Sequence, residues 1–252
     1  MNDLIKRAAE ILVASNHPAV LTGAGISVES GIQPFRGKGG LWEKIDPMKY
    51  AHIDTFLKDP ETVWNVLIRG MKDVLDGAAP NAGHKGLFKL EKLGLLSTII
   101  TQNVDGLHQA AGSRDVIEFH GTFAVQRCMD CDRTIGTKKI DLSIIPPRCR
   151  CGGIFRPDCV FFGETIPYDA LQRSQQISAS CDVMFVIGTS ALVQPAAYMP
   201  VIAKQNGAKI IEINPEPTPL TESISDIPLL GKAGDVITQL CVEVACLLES
   251  RR

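Results

Sequence analysis

The sequence lacks any continuous apolar run long enough to span a membrane. Its first twenty residues, MNDLIKRAAEILVASNHPAV, break their apolar positions with Lys, Arg, Glu and Asn. Neither a spanning helix nor the unbroken core of a secretory signal is expected. An excess of one charge is missing too: 26 basic residues face 28 acidic ones, a formal net charge of −2. A chain so balanced has no general electrostatic pull toward nucleic acid or membrane, so any such contact is local. There is also no internal repeat and no low-complexity tract. These absences point to a globular cytoplasmic protein with reduced thiols, and 252 residues suffice for a large core, in one domain or in a domain with an insert.

What is present is an alternation of short apolar runs and helical text. Ile5, Ala8, Ile11 and Leu12 recur at helical spacing, and HPAVLTGAGIS then runs from a buried strand into a Gly-rich turn. Residues 31–47, GIQPFRGKGGLWEKIDP, hold too many Gly and Pro for a regular element and predict a long loop. DPETVWNVLIRGMKDVLDG and NAGHKGLFKLEKLG predict helices, LLSTII a strand and VIEFHG a further short strand. Residues 123–156 shift to a Cys-, Pro- and Arg-containing composition with little periodicity, the mark of an inserted module. DVMFVIGTS, AKIIEINPEPT and DIPLLGKAG are again apolar runs, with helical segments between the first two and after the last. Such alternation predicts an α/β fold, a mostly parallel sheet with helices on both faces.

Four of the apolar runs end in groups suited to a ligand: GAGIS (23–27), TQNVD (101–105), GTS (188–190) and NPE (214–216). In open parallel sheets ligands bind beyond the carboxyl ends of strands, where strand order reverses. Gly23 and Gly25 let the backbone approach a pyrophosphate, and Ser27 with free N–H groups at a helix start can bind its oxygens. A dehydrogenase fingerprint is missing: Val28 stands at the third glycine of G-x-G-x-x-G, and no acidic strand end follows about 20 residues on. TQNVDGLH sets Gln102, Asn103, Asp105 and His108 within eight residues, of which helix capping explains only part. His120 in EFHG titrates near neutrality and suits a general base, unless no ligand converges on it and it is structural. His84 and His108 lie in helical text and read as packing or surface residues.

Eight cysteines in a reducing compartment call for an explanation other than disulfides. Cys128-x₂-Cys131 and Cys149-x-Cys151, with seventeen residues between the pairs, suit a tetrahedral zinc whose four thiolates leave no open position, hence a structural metal. Gly152 and Gly153 relax the turn that Cys-x-Cys demands, and Cys159 is an outside candidate. Cys181, Cys241 and Cys246 read as buried thiols. Residues 121–157 hold seven Arg or Lys against three Asp, a surplus that offsets the charge of a tetrathiolate centre and makes a nucleic-acid patch unnecessary.

Taken together, GAGISVESGIQPFRG, TQNVDGLH, EFHG, the two cysteine pairs, FRPDCVFFGE, GTSALVQPAA and INPEPT resemble the sirtuin family of NAD-dependent protein deacylases, in prokaryotic form, across roughly residues 5–245. The resemblance implies a Rossmann-like, doubly wound parallel sheet (1–36, 78–122 and 157–252) with a smaller zinc-binding and helical domain (37–77 and 123–156). It implies that Gly23, Ala24, Gly25, Ser27, Phe35 and Arg36 line the NAD loop, and that Gln102, Asn103 and Asp105 meet ribose, reacting centre and nicotinamide amide. Gly188, Thr189, Ser190, Asn214, Glu216 and Ala233 would lie beside the adenosine half. An acyl-lysine protein or peptide would add as a strand between Val160, Phe162, Gly163 and Glu164 on one side and Val193 on the other. His108 would be structural.

The implied reaction consumes NAD: the acyl oxygen displaces nicotinamide, His120 serves as base for the ribose hydroxyls with Asn103 beside it so that the 2′-oxygen attacks the imidate carbon, and water completes the release of free lysine and O-acetyl-ADP-ribose. Zinc, held by Cys128, Cys131, Cys149 and Cys151, takes no part in chemistry. Departures from the family pattern are Gln33-Pro34, Ala191 and Cys159, none of which removes a reacting group. Desuccinylase-like members carry a Tyr and an Arg three and six residues after the insertion Trp. Here Leu67 and Gly70 follow Trp64 at those places, so acetyl or a longer neutral acyl group is expected over succinyl, with Arg69 a solvated helix residue. A monomer is expected. The rival readings are a mono-ADP-ribosyltransferase on the same scaffold, a reader that only binds, and a dehydrogenase.

Overall fold

Apolar runs bounded by turn residues become the strands of two sheets in the computed structural model, which describes residues 1–35 and 40–250. The strands are β1 (Pro18–Thr22), β2 (Thr98–Thr101), β3 (Val116–Glu118), β4 (Gly121–Cys128), β5 (Thr134–Gly136), β6 (Phe155–Cys159), β7 (Val183–Ile187), β8 (Lys209–Asn214) and β9 (Ile227–Leu230). Six form one parallel sheet in the order β3-β2-β1-β7-β8-β9. Every residue of β1, β2 and β7 is buried, as expected of central strands covered on both faces. Helices Asn2–Ala14, Ala82–Lys92 and Ala233–Glu249 cover one face through Ile5, Leu12, Leu87 and Ile237. Helices Tyr168–Ser180 and Met199–Gln205 cover the other, over Leu21, Ile100, Met184 and Ile210. This is the Rossmann-like, doubly wound architecture.

The connection from β1 leads toward β2 and the later one leads to β7 on its other flank, so strand order reverses between β1 and β7. That reversal opens a crevice at the carboxyl edge. Beside the large sheet lies an antiparallel one, β5-β4-β6, with a register shift between Thr122 and Gln126. Its strands fall in the segment whose sequence shows little periodicity, because pairing there is short and interrupted. A third cluster, built on Phe56, Val63, Trp64, Ile68, Phe123 and Phe161, joins it to the helical insertion.

Three features differ from the sequence expectations. The predicted 59–77 helix is two α-helical pieces, Pro60–Val63 and Arg69–Gly77, joined by a π-helical turn Trp64–Ile68. Such bulges occur where a side chain is held out of helical register, and fully buried Trp64 donates its Nε1–H to the Phe155 carbonyl at 2.9 Å. The stretch 31–47 is not all loop, since Leu41–Lys44 is helical and Pro47 opens a helix that Asp46 caps. Helix Tyr168–Ser180 was not foreseen, because its buried face includes Ser174 and Ser178 where a hydrophobic pattern would show apolar residues. No helix among the described residues is long and apolar enough to cross a membrane.

Candidate active site

The four chemistry-bearing strand ends meet at the carboxyl edge of the sheet. Gly23 N–H donates to the Ile187 carbonyl at 3.0 Å and Gly25 N–H to the Gly188 carbonyl at 2.8 Å, stitching the turn after β1 to the turn after β7. A Cβ on Gly25 would lie 2.6 Å from Gly188 Cα, and one on Gly188, at φ +61°, 2.4 Å from Ile26 N. The glycines are required for this loop-to-loop approach, in addition to any role toward a phosphate. Ala24 and Ser190 are half-buried beside them, and Thr189 is buried. Gln102 donates Nε2–H to Thr189 Oγ1 at 2.9 Å, and Asn214 donates Nδ2–H to the Thr189 carbonyl at 3.0 Å. The ends of β2 and β8 thus converge on Thr189, which follows β7. Glu216 is exposed, and Ala233 opens the long C-terminal helix, whose Gly234 N–H is taken by Glu29 at 2.8 Å.

Under the β1 turn lies a buried polar network. The Ser27 hydroxyl donates to Asp105 Oδ2 at 2.7 Å and accepts from Asn103 Nδ2 at 3.2 Å, while Asn103 also reaches the Gly23 carbonyl. His84 Nδ1 accepts from Asn81 N–H, which leaves its Nε2–H to face Ser27 Oγ at 3.4 Å. His108 meets His84 edge-on at 4.9 Å and places its Nε2 3.0 Å from Thr22 Oγ1; Thr22 in turn donates to Thr101 Oγ1 at 2.9 Å. Thr101 Oγ1 accepts Asn103 N–H at 3.1 Å. Burial pushes His84 down to about 4 and His108 down to about 3, so both imidazoles are neutral at pH 7. They are part of the support beneath Asn103 rather than ordinary packing or surface residues. Nothing in the sequence marks them, because Ser27 and His84 are 57 positions apart.

His120 stands just past β3. Its Nδ1 lies 3.0 Å from the Gln102 carbonyl, an acceptor, so Nδ1 carries the hydrogen and Nε2 keeps a free lone pair. Burial holds its pKa below the usual imidazole value, partly countered by that carbonyl. The His120 carbonyl accepts Val160 N–H at 2.9 Å, which fixes the start of the 160–164 segment beside the histidine. Phe162 is bracketed by the insertion: its N–H donates to the Ala51 carbonyl and its carbonyl accepts Ile53 N–H, both at 2.9 Å. Gly163 is exposed at φ +88°, and Val193 is half-buried. The Glu164 carboxylate is engaged internally, by Arg156 and by Phe161 N–H. Phe35 stacks on Trp42 at 5.2 Å, and Trp42 tilts against Phe162 at 6.3 Å, so Trp42 links the β1 turn to the 160–164 segment. Sequence reasoning passed over Trp42, which lies in the stretch predicted as loop. Arg36 lies outside the described residues.

The sulfur atoms of Cys128, Cys131, Cys149 and Cys151 all lie within 4.8 Å of one another. Three of the separations are 3.5, 3.8 and 3.4 Å. Zn–S bonds of about 2.3 Å give a tetrahedron with an edge of about 3.8 Å. The donor set therefore fits a structural zinc. Gly152 takes φ +98°, and a Cβ on Gly153 would lie 2.7 Å from Cys128 Sγ, so Cys-x-Cys closes only with glycines after it. Cys159 is outside the cluster, against the Phe56 and Trp64 core, where burial pushes its thiol up to about 12. Cys181 and Cys241 are buried as expected. Cys246 is exposed, a correction that follows from its place on the outer face of the Ala233–Glu249 helix.

Comparison with known proteins agrees with this geometry. A model of the Sir2 family matches residues 23–195. NAD-dependent protein deacylase 1 of Archaeoglobus fulgidus is 47% identical over 238 residues, covering 94% of this chain and 95% of that one. A solved Sir2 homolog–NAD complex superposes with a TM-score of 0.90 at 44% identity, covering 96% and 94% of the two chains. A second structure, Sir2 with a deacetylated p53 peptide and 3′-O-acetyl ADP ribose, gives a TM-score of 0.88 at 34% identity, covering 95% and 98%. Matching so much of both chains at such identity, with the site residues gathered at one sheet edge, the chain belongs to the Sir2 family.

Proposed function

We infer that this protein is an NAD-dependent protein-lysine deacetylase that releases nicotinamide and O-acetyl-ADP-ribose. The observation that carries this reading is the placement of His120, with Nε2 free, directly beside a backbone segment able to receive a peptide strand. NAD, consumed as a co-substrate, supplies the anomeric carbon from which nicotinamide departs. Gly23, Ala24, Gly25, Ser27 and Phe35 then line its phosphate and nicotinamide-ribose half, and Arg36, next in sequence, is assigned to the same half. Gly188, Thr189, Ser190, Asn214, Glu216 and Ala233 serve the adenosine half. Gln102, Asn103 and Asp105 orient the reacting ribose, and the Thr22–His108 and Ser27–His84 contacts hold Asn103 and Asp105 in place.

His120 accepts a proton at Nε2 from a ribose hydroxyl, while the Gln102 carbonyl retains the Nδ1 proton and steadies the cation formed. Val160, Phe162, Gly163 and Glu164 offer main chain to the acyl-lysine peptide, with Val193 opposite. Residues 1–36, 78–122 and 157–252 serve as the NAD-binding domain and 37–77 with 123–156 as the small one. The same reading has the protein act as a monomer in the cytoplasm on acyl-lysine proteins. Mass spectrometry of the protein with acetyl-lysine peptide and NAD tests it. Deacetylated peptide with matching nicotinamide and O-acetyl-ADP-ribose is expected, and His120→Ala should lower the rate by about 10²–10⁴. ADP-ribose attached to protein, with the peptide intact, would instead select the transferase.

A further inference from the structure

We propose that Arg156 is a positioning residue for the peptide substrate, acting as a buried splint that holds the 159–164 segment in its strand-accepting shape. The inference rests on the deacetylase reading and assigns a role to a side chain outside the NAD-binding and catalytic sets named above.

Arg156 is an arginine in β6 with only 7% of its surface exposed. Burying a guanidinium is costly unless its donors are met, and here four of its five N–H donors are met within one short stretch of chain. NH1 and NH2 form a fork on Glu164, at 2.6 and 2.7 Å; NH2 also donates to the Cys159 carbonyl at 2.5 Å, and Nε to the Pro157 carbonyl at 3.2 Å. The guanidinium lies 4.3 Å from the Phe161 ring centroid and 5.9 Å from that of Phe56. Glu164 closes the loop by accepting Phe161 N–H at 2.8 Å.

The consequence is a rigid tie across the segment that offers main chain to the peptide. With Glu164 neutralised from inside, its carboxylate is turned away from the incoming strand. Without Arg156 a half-buried carboxylate would lose its partner and turn toward water, releasing Phe161 N–H and the bend at 161–164. Lysine cannot substitute, because a single ammonium lacks the planar fork and stacks poorly on Phe161. Arg156 also follows Phe155, whose carbonyl is held by Trp64 and whose ring packs on Cys128 and Cys149. The zinc module therefore anchors the splint.

Steady-state kinetics of wild type, Arg156→Lys and Glu164→Gln on an acetyl-lysine peptide test the proposal, with zinc content measured alongside. Hydrogen exchange at the Phe161 amide reads the splint directly. The expected result for Arg156→Lys is a peptide KM raised about tenfold, the worth of one charge-assisted hydrogen bond. Its kcat and NAD KM should stay within about twofold, with one zinc retained and faster exchange at Phe161. Glu164→Gln keeps the arginine and its stacking, and should move peptide KM the same way, which covers the case in which Arg156→Lys fails to fold. Wild type that leaves the peptide intact would overturn the deacetylase reading and the proposal with it. Active wild type whose variants keep an unchanged peptide KM, or lose kcat and NAD affinity in equal measure, would overturn the proposal alone.

Discussion

His120 and the zinc cysteines show how much depends on single atoms. The Gln102 carbonyl accepts a hydrogen bond from His120 Nδ1–H, which leaves on Nε2 the free lone pair that the proposed base role needs. The thiols divide by position rather than by type: four lie within 4.8 Å of one another, while Cys159 sits in the apolar cluster of the insertion. Cys149→Ser is expected to release the metal and Cys159→Ser to retain one equivalent, as measured by metal analysis of purified protein. Loss of zinc from Cys159→Ser would mean a ligand set different from the one described. Removing one thiolate from a structural tetrathiolate should also lower the melting temperature, since metal-binding free energy is folding free energy in such modules.

At the scale of elements, two contacts decide what the site can be. The β1 and β7 turns touch through glycine backbone, with no room for a methyl group between Gly25 and Gly188. Gly25→Ala should cost about 2–4 kcal/mol, the range of a strained backbone clash, and impair NAD binding because the two loops must separate. Thermal melts with and without NAD would show it, and a wild-type melting curve would refute the stitching argument. The second contact is the helical insertion. In its π-helical turn Leu67 is buried, and Gly70 beyond it is exposed with open space where a Cβ would stand, so neither place offers a cation or a phenol to an acyl carboxylate. Arg69 is exposed. Acetyl-lysine peptide should therefore give a larger kcat/KM than succinyl-lysine peptide; the reverse order would show that an anion site exists.

For the molecule as a whole, the buried histidines couple stability to pH. His84 and His108 are neutral in the fold, at about 4 and about 3, but take up protons near 6.5 once unfolded. The unfolded chain thus binds more protons below pH 6.5, and stability, complete above that value, falls as pH drops from about 6.5 toward 4 and 3. At pH 5 the loss is about 2 kcal/mol per histidine, or roughly 10 °C of melting temperature for the pair. Calorimetry at pH 8 and pH 5 measures it. Replacement of both residues by glutamine should flatten the slope even if it lowers stability throughout. A slope unchanged in that variant would assign the acid sensitivity elsewhere.

The doubly wound sheet, and the strand ends that gather into the candidate site, were legible because both are written locally. A short apolar run followed by GAGIS, TQNVD, GTS or NPE announces a buried strand and the chemistry at its end, and parallel sheets bring such ends to one edge. The cysteine spacing announced a metal by the same local logic. Tertiary structure alone decided the contacts that join distant segments: Gly25 against Gly188, His84 beneath Ser27, His108 against Thr22, and Phe35 through Trp42 to Phe162. It also placed the Tyr168–Ser180 helix, whose buried serines hide it from a hydrophobic pattern. The physical reason is range. Propensity, capping and turn chemistry act over a few residues, whereas which histidine lies under which serine depends on the order in which β2, β1 and β7 line up in the sheet.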